Sequence, residues 1–270
     1  MIKSRFRSLA MMNLAGFIGV VVVNALANII PINNKTTGEI SDQYANLFTP
    51  AGLTFSIWGV IYVLIGIFAI YNFVRAIKNN VPDSSYIEKI GVLFFISCIA
   101  NIGWIFAWHY EILPLSLGLI ILLLVCLIAI YQRLKIGISR ADKIQTYTGN
   151  IPFSVYLGWI TIATIANTTV LLVAANWGGL GLSDEFWAIA VLAVALVITL
   201  IFLFLRRDVF YAIVVDWALL GILLKRLDAD VSSDEKVVMV SIIGMVVITT
   251  GIIVQLVRKK AYHMRRATSG

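Results

Sequence analysis

Eight long apolar runs, separated by short polar breaks, constrain this chain more than anything else in it. They fall at about 9–30, 54–74, 90–110, 113–131, 151–177, 186–205, 209–224 and 237–257. A helix of roughly 18 or more mostly apolar residues crosses the ~30 Å hydrocarbon layer of a bilayer. The runs lack the period-two alternation of barrel strands, and a helix satisfies all of its backbone polar groups within lipid. With 60% hydrophobic and 13% charged residues, the expected fold is all-α. It is a polytopic transmembrane helical bundle of about eight spans, the 209–224 run being the shortest.

Charge orients the array, because short cytoplasmic loops hold an excess of Lys and Arg. One side receives Lys3, Arg5, Arg7, Arg75, Lys78, Lys89, Arg133, Lys135, Arg140, Lys143, Arg206, Arg207, Arg258, Lys259, Lys260, Arg265 and Arg266, which is 17 of the 21 basic residues. The other side receives Lys35, Lys225, Arg226 and Lys236. The predicted topology puts both termini in the cytoplasm of a multi-pass protein of the cell (plasma) membrane, with lipid as its surroundings. The net charge of +7 is scattered over helix ends rather than gathered on one face, so no nucleic-acid partner is expected. A basic start followed by Ala25-Leu26-Ala27 imitates a secretory signal. The apolar stretch is longer than a signal core, however, and is read as a retained span. Cys98 and Cys126 fall inside predicted spans, where a thiol behaves as a small apolar side chain.

The longest polar stretch, 31–53, reads as a loop, and no segment between spans could bury a core of its own. A phosphate-binding loop, a dinucleotide glycine fingerprint, a paired-cysteine metal motif and His-Glu-x-x-His are all missing from the sequence. The two histidines are His109, at an outer helix end, and His263, in the basic tail. No metal site, cofactor or catalytic triad is expected from these parts.

Aromatic and amide side chains at helical spacing are the candidates for a site. Phe55, Trp58 and Tyr62 share a face of the second span. Asn101, Trp104 and Trp108 repeat the arrangement in the third, and Tyr156, Trp159, Ala163 and Ala166 share a face of the fifth, bordered by Asn167. Large rings above small alanines would leave a recess for a flat, largely apolar ligand with few polar groups. The same residues also admit a structural reading. Trp and Tyr collect at membrane interfaces as anchors, the role assigned to Trp108, Tyr110, Trp177 and Trp187 near outer ends. The deeper Trp58, Trp104 and Trp159 could be ordinary packing. Asn101 and Asn167 could bond across helices, a use worth about 1 kcal/mol.

These residues resemble the TspO/MBR family of tryptophan-rich sensory, or translocator, proteins over roughly 10–177. The first span offers Ala15-Gly16-Phe17-Ile18-Gly19, similar to the family's glycine-rich first helix. Tyr44-Ala45-Asn46-Leu47, Pro50, then Ile57-Trp58-Gly59 and Tyr62 are similar to its Tyr-Ala-x-Leu, Pro and Ile-Trp-Gly-x-x-Tyr series. Asn101 and Trp104 have the spacing of its Asn-x-x-Trp. Tyr156-Leu157-Gly158-Trp159 followed by Ala163-Thr164 and Asn167 looks like its Tyr-Leu-x-Trp-x-x-x-Ala-Thr-x-x-Asn. The chain departs from the family pattern at Gly52, where a Trp is usual, and at Ser56, where a Pro is usual. The loop from Tyr44 to Trp58 is also shorter than usual, and Thr168-Thr169-Val170 lacks the Tyr and basic residue of the sterol-contact pattern, so sterol binding is not carried over.

The resemblance implies a five-helix region, 1–177; typical members stop there, whereas this chain continues into a three-helix extension, 178–270, with a basic tail, so it looks like an extended relative. The resemblance further implies a planar hydrophobic ligand, of which porphyrin is an example, held by Trp58, Tyr62, Asn101, Trp104, Tyr156, Trp159, Ala163 and Asn167. Homodimer formation is a further expectation. The function so implied is binding, sensing or transport without catalysis; Trp58 and Trp104, in the outer halves of their predicted spans, point to ligand access from the non-cytoplasmic side or from lipid. Tetrapyrrole breakdown through the paired tryptophans is the enzymatic alternative. Within the extension, Asp216 is a carboxylate near the middle of a predicted span, where an ionisable group costs about 2.5–3.5 kcal/mol on insertion scales. Either it carries a proton or cation, as in a coupled small-molecule transporter, or it is neutral or bonded to another helix. The absence of a lysine in that span argues against a retinal Schiff base.

Overall fold

The computed structural model describes residues 2–78, 86–228 and 234–268, with side chains described from 4 to 258 within those ranges. Lys3, Lys259, Lys260, His263, Arg265 and Arg266 lie outside the described side chains. In chain order the helices are α1 (Ile2–Ile29), α2 (Thr37–Gln43), α3 (Ile57–Ile77), α4 (Tyr86–Ile90), α5 (Leu93–His109), α6 (Leu113–Arg133), α7 (Lys143–Gln145), α8 (Ile151–Ala174), α9 (Asp184–Leu205), α10 (Val209–Leu227) and α11 (Glu235–Thr268). No strand occurs among the described residues. The chain is an all-α, polytopic membrane bundle, and each of the eight apolar runs forms a helix.

Six helical segments are long and apolar enough to cross a membrane: Ser4–Ile29, Gly52–Ile77, Leu113–Arg133, Lys143–Ala174, Asp184–Leu205 and Glu235–Arg258. The other two of the eight expected spans fall short for visible reasons. Helix α5 has 17 residues, about 26 Å at 1.5 Å per residue. The short α4 precedes it across a break at Gly91, whose φ of 60° an L side chain rarely adopts. Helix α10 has 19 residues, but Asp216, Lys225 and Arg226 are among them.

The helices form two units. The first comprises Met1–Asn46 and Phe55–Trp177, the second Leu47–Thr54 and Gly178–Gly270. A short loop segment that is flanked in sequence by the first unit therefore packs with the C-terminal helices.

In the first unit α1 packs on α3 and α5, α5 on α6, α6 on α8, and α8 back on α3, closing a ring of five helices. Gly16 permits the α1–α5 contact, since a Cβ there would stand 3.0 Å from the Phe95 ring and 3.1 Å from the Cys98 Cβ. One end of the interior is filled by Phe68, Phe94 and Phe153, whose rings meet edge to face at 5.1–5.8 Å. At the opposite end a polar loop is pinned over the ring. Thr36 and Glu39 form a reciprocal cap that starts α2. Lys35 and Tyr44 both grip Glu111, at 2.9 and 2.8 Å.

In the second unit α9, α10 and α11 pack against one another. Ser183 and Asp208 cap α9 and α10 by accepting from backbone N–H groups of their first turns, at 3.1–3.2 Å. Tyr211 stacks on Phe202 at 4.1 Å, and the Gln255 amide donates to the Leu203 carbonyl at 3.0 Å.

Candidate functional site

Helical spacing sends the three aromatic stripes into the ring of five. Trp58, in the first turn of α3, is their hub. Its ring lies 5.5 Å from Tyr62, 5.9 Å from Trp104, 6.1 Å from Tyr156 and 6.2 Å from Trp159. Phe55 meets Trp159 edge-on at 6.0 Å. Trp104, Tyr156 and Trp159 are buried, whereas Trp58 is half-buried. The rings touch one another, so a flat ligand would be accommodated by parting them rather than by sliding into open space.

A polar frame runs across the ring and holds these aromatics. The Asn24 amide on α1 donates to Asn101 Oδ1 on α5 at 2.9 Å, and Asn101 Nδ2 donates to the Tyr156 hydroxyl on α8 at 3.1 Å. One turn outward, Trp104 Nε1 and the Ser116 hydroxyl both donate to Asn167 Oδ1, at 2.9 and 2.8 Å. Asn24, Asn101, Ser116 and Asn167 are all buried, so each bond stands in place of a desolvated amide or hydroxyl. Seven of the eight predicted site residues, Trp58, Tyr62, Asn101, Trp104, Tyr156, Trp159 and Asn167, thus share one cluster of ring contacts and hydrogen bonds. Ala163 lies one helical turn outward of Trp159 on α8 and is half-buried.

Three donors in the cluster make no hydrogen bond: Trp159 Nε1, the Tyr62 hydroxyl and Asn167 Nδ2 are buried and without a partner. Tyr62 and Phe17 also line two spaces at once. One is a small cavity shared with Ile61, Cys98 and Tyr156, with room for no more than about one water. The other is an open apolar groove along α1 and α3, lined also by Val21, Gly66 and Ile70. Two rings therefore stand between the groove and the interior.

Sequence reasoning missed Asn24 and Ser116. Each is a lone polar residue in an apolar run, and the signal available was the cost of burying it unpaired. Trp108 is a correction. It is 4% exposed, stacks on Trp104 at 6.0 Å and donates from Nε1 to the Thr37 carbonyl at 3.1 Å, so it belongs to the interior and not to an interfacial belt. Tyr110 and Trp177 are 58% and 39% exposed. Trp187 clasps its own turn through Nε1 to the Gly179 carbonyl.

The family described as TSPO-like protein matches residues 10–254. The chain belongs to that family. Because the match runs on into α11, the three C-terminal helices lie within the stretch that this TSPO-like chain shares with the family. No curated protein and no solved structure matches it.

In the second unit of this TSPO-like protein, Asp216 accepts from the Thr249 hydroxyl at 2.9 Å through Oδ2, while Oδ1 is buried without a hydrogen-bond partner. The bond links α10 to α11. Among the described residues no group of three or more His, Cys, Asp or Glu is arranged to hold a metal ion.

Proposed function

We propose that this protein binds a planar hydrophobic ligand, tetrapyrrole-like in shape, between the rings of Trp58, Trp104, Tyr156 and Trp159, and senses or transports it without catalysis. The observation that carries the reading is the set of buried donors, Trp159 Nε1, the Tyr62 hydroxyl and Asn167 Nδ2, left without protein partners among the rings. A buried donor left unpaired costs about 1–3 kcal/mol. A flat ligand carrying acceptor atoms would recover that cost while stacking on the rings. Asn101 has both ends of its amide engaged by protein groups and in this reading holds the wall, whereas Asn167 spends its carbonyl on Trp104 and Ser116 and keeps a buried, unpartnered Nδ2 for the ligand. The groove along α1 and α3 supports access from lipid past Phe17 and Tyr62. The proposed orientation, from the basic-residue bias, puts both termini in the cytoplasm of a plasma membrane.

Trp58→Ala and Trp159→Ala should each weaken binding of protoporphyrin IX by about tenfold or more, a ring contact being worth ~0.5–1.5 kcal/mol beyond its buried area. Trp187→Ala should change it little. Quenching of intrinsic tryptophan fluorescence in detergent measures all three. Equal affinity across the three variants would remove the aromatic site.

A second reading is favoured by Asp216. Its unpartnered Oδ1 supports a proton- or cation-coupled transport step in which the carboxyl changes protonation or ion occupancy.

A further inference from the structure

The open groove of the first unit changes its chemistry along its length. Its walls are α1 and α3, consecutive spans that pack on each other and so run in opposite directions. Phe17, Val21, Tyr62, Ile67 and Ile70 give it an apolar lining that ends at Tyr71, and its volume is about 590 Å³, the size of a small-molecule site. Phe17 seats on α3 because residue 66 is a glycine, a Cβ there standing 2.9 Å from its ring. At the Tyr71 end the surroundings become cationic. Arg75 Nη1 donates to the Tyr71 hydroxyl at 2.8 Å, and the guanidinium carbon lies 5.6 Å from the centre of the same ring, so the half-buried arginine is held at the mouth of the groove. Lys78 follows Tyr71 by seven residues, and Arg7, Leu14 and Val21 recur at the same interval, a spacing that returns to one helix face. Both Lys78 and Arg7 are exposed. Counted from the Phe17 and Gly66 contact at 1.5 Å per residue, Arg7, Arg75 and Lys78 stand about 15, 14 and 18 Å along, at the same end. Glu88 on α4, which packs on α1, is offset by Lys89 beside it.

From Arg75 to Tyr62 the helix rises about 20 Å, and half of a bilayer, headgroups included, is about 20–22 Å thick. The groove therefore spans one leaflet, cationic at the level of a headgroup and apolar at the level of its chains. We propose that it binds an anionic glycerophospholipid, with one acyl chain lying along Ile67, Phe17 and Val21 toward Tyr62 and the phosphate at Arg75, Lys78 and Arg7. A guanidinium meets phosphate oxygens through paired N–H groups in a fixed plane, and the bond to Tyr71 orients that plane. A zwitterionic lipid brings a cation of its own to the same place, whereas an anionic lipid brings none, and this sets the preference. A free phosphate ester would gain the cations without the groove, and an uncharged hydrophobic molecule the groove without the cations. The site uses none of Trp58, Trp104 or Trp159 and stands independently of the function proposed above.

The experiment titrates the full chain in detergent with dioleoyl phosphatidylglycerol or dioleoyl phosphatidylcholine and counts bound lipid by native mass spectrometry. The parent should hold one phosphatidylglycerol about tenfold or more tightly than phosphatidylcholine. Arg75→Gln and Lys78→Gln should each weaken the anionic lipid about fivefold, the usual worth of one basic residue at an anionic membrane surface, and leave the zwitterionic lipid nearly unchanged. Adding Arg7→Gln to the pair should bring the two lipids to similar affinity. Ile67→Trp, at a position 44% exposed, keeps every charge but fills the groove, and should weaken both lipids by about tenfold. Lys78 is exposed, so Lys78→Gln keeps the charge arm decisive if Arg75→Gln fails to fold. Equal affinity of the parent for the two lipids overturns the proposal. An anionic preference that survives in the triple variant moves the headgroup elsewhere and overturns it as well. Unchanged binding in Ile67→Trp overturns the place given to the chain. Soluble glycerophosphoglycerol that competes as well as the lipid would make this a phosphate site without a chain, which also refutes the lipid.

Discussion

Cutting the amide bridge between α1, α5 and α8 tests whether the polar frame holds the aromatic site. Asn101 is fully buried and joins two partners across the ring, accepting from Asn24 at 2.9 Å and donating to Tyr156 at 3.1 Å. Interhelical hydrogen bonds in membrane proteins average about 0.6 kcal/mol and reach about 1.7, so the two together are worth roughly 1–3 kcal/mol. Asn101→Ala also leaves the Tyr156 hydroxyl without this partner and opens a void, for a total near 2–4 kcal/mol. Asn101→Leu fills most of that void, so the difference between the two variants reads the packing share. A cycle of Asn24→Ala, Asn101→Ala and the double variant isolates the single α1–α5 bond, with an expected coupling of about 0.6–1.7 kcal/mol. Asn24 Nδ2 keeps its bond to the Val20 carbonyl at 2.9 Å in every member that retains Asn24, so that bond cancels in the cycle. The assay is reversible unfolding in mixed micelles by titrated SDS, followed by far-UV circular dichroism. A coupling energy within about 0.3 kcal/mol of zero, with Asn101→Leu as stable as the parent, would refute the frame.

The loop that carries Lys35 and Tyr44 supplies a pH-dependent contact. Hydrogen bonds from Lys35 and then Tyr44 hold the Glu111 carboxyl below the usual carboxylate range, while burial and the bond to Glu111 push the Tyr44 hydroxyl up to about 12. A lowered carboxyl stabilises the fold above its unfolded value and loses that contribution as the pH falls through its folded value. A spin label at Ala45, attached through Ala45→Cys with Cys98 and Cys126 buried, should therefore gain mobility in acid in the parent, and Glu111→Gln should show the mobile spectrum at neutral pH as well. A Glu111→Gln chain as rigid as the parent at neutral pH would dismiss the contact as incidental. Asp216→Asn should leave porphyrin binding in place and abolish any uptake driven by a pH gradient in proteoliposomes; surviving uptake would eliminate Asp216 as the coupling group. Reporter fusions after Ile138 and Gly181 should report the cytoplasm and the opposite side respectively, and the reverse pattern would invert the proposed orientation.

The features legible in the sequence are those with a period or a length. Eight apolar runs became eight helices because burying backbone polar groups in lipid leaves few alternatives. The stripes Phe55-Trp58-Tyr62 and Asn101-Trp104-Trp108 met across the ring because residues three and four apart share a helix face whatever the partner helix turns out to be. Trp108 was misread for the complementary reason. Nearness to a helix end places a ring at the level of the interface, but whether it meets lipid depends on what lies over it. Here α2 covers it and its indole finds the Thr37 carbonyl. No periodicity in the third span carries that information.

Contacts between single residues far apart in sequence leave a fainter trace, and they leave it as a cost. Asn24 lies in an apolar run with no motif around it, yet an amide at that depth needs a partner and therefore implies one on another helix, here Asn101. Gly221 is the same argument in steric form. A glycine inside a helix sacrifices backbone order for no local gain, so something must occupy the space its missing side chain leaves, and in this chain that is Thr54. The sequence thus marks where a partner must come, through each locally unfavourable residue, while only the three-dimensional arrangement names it. In this chain Gly221 and Thr54 fit each other in that way, and a side chain added at Gly221 should be tolerated only when Thr54 gives way to a smaller residue.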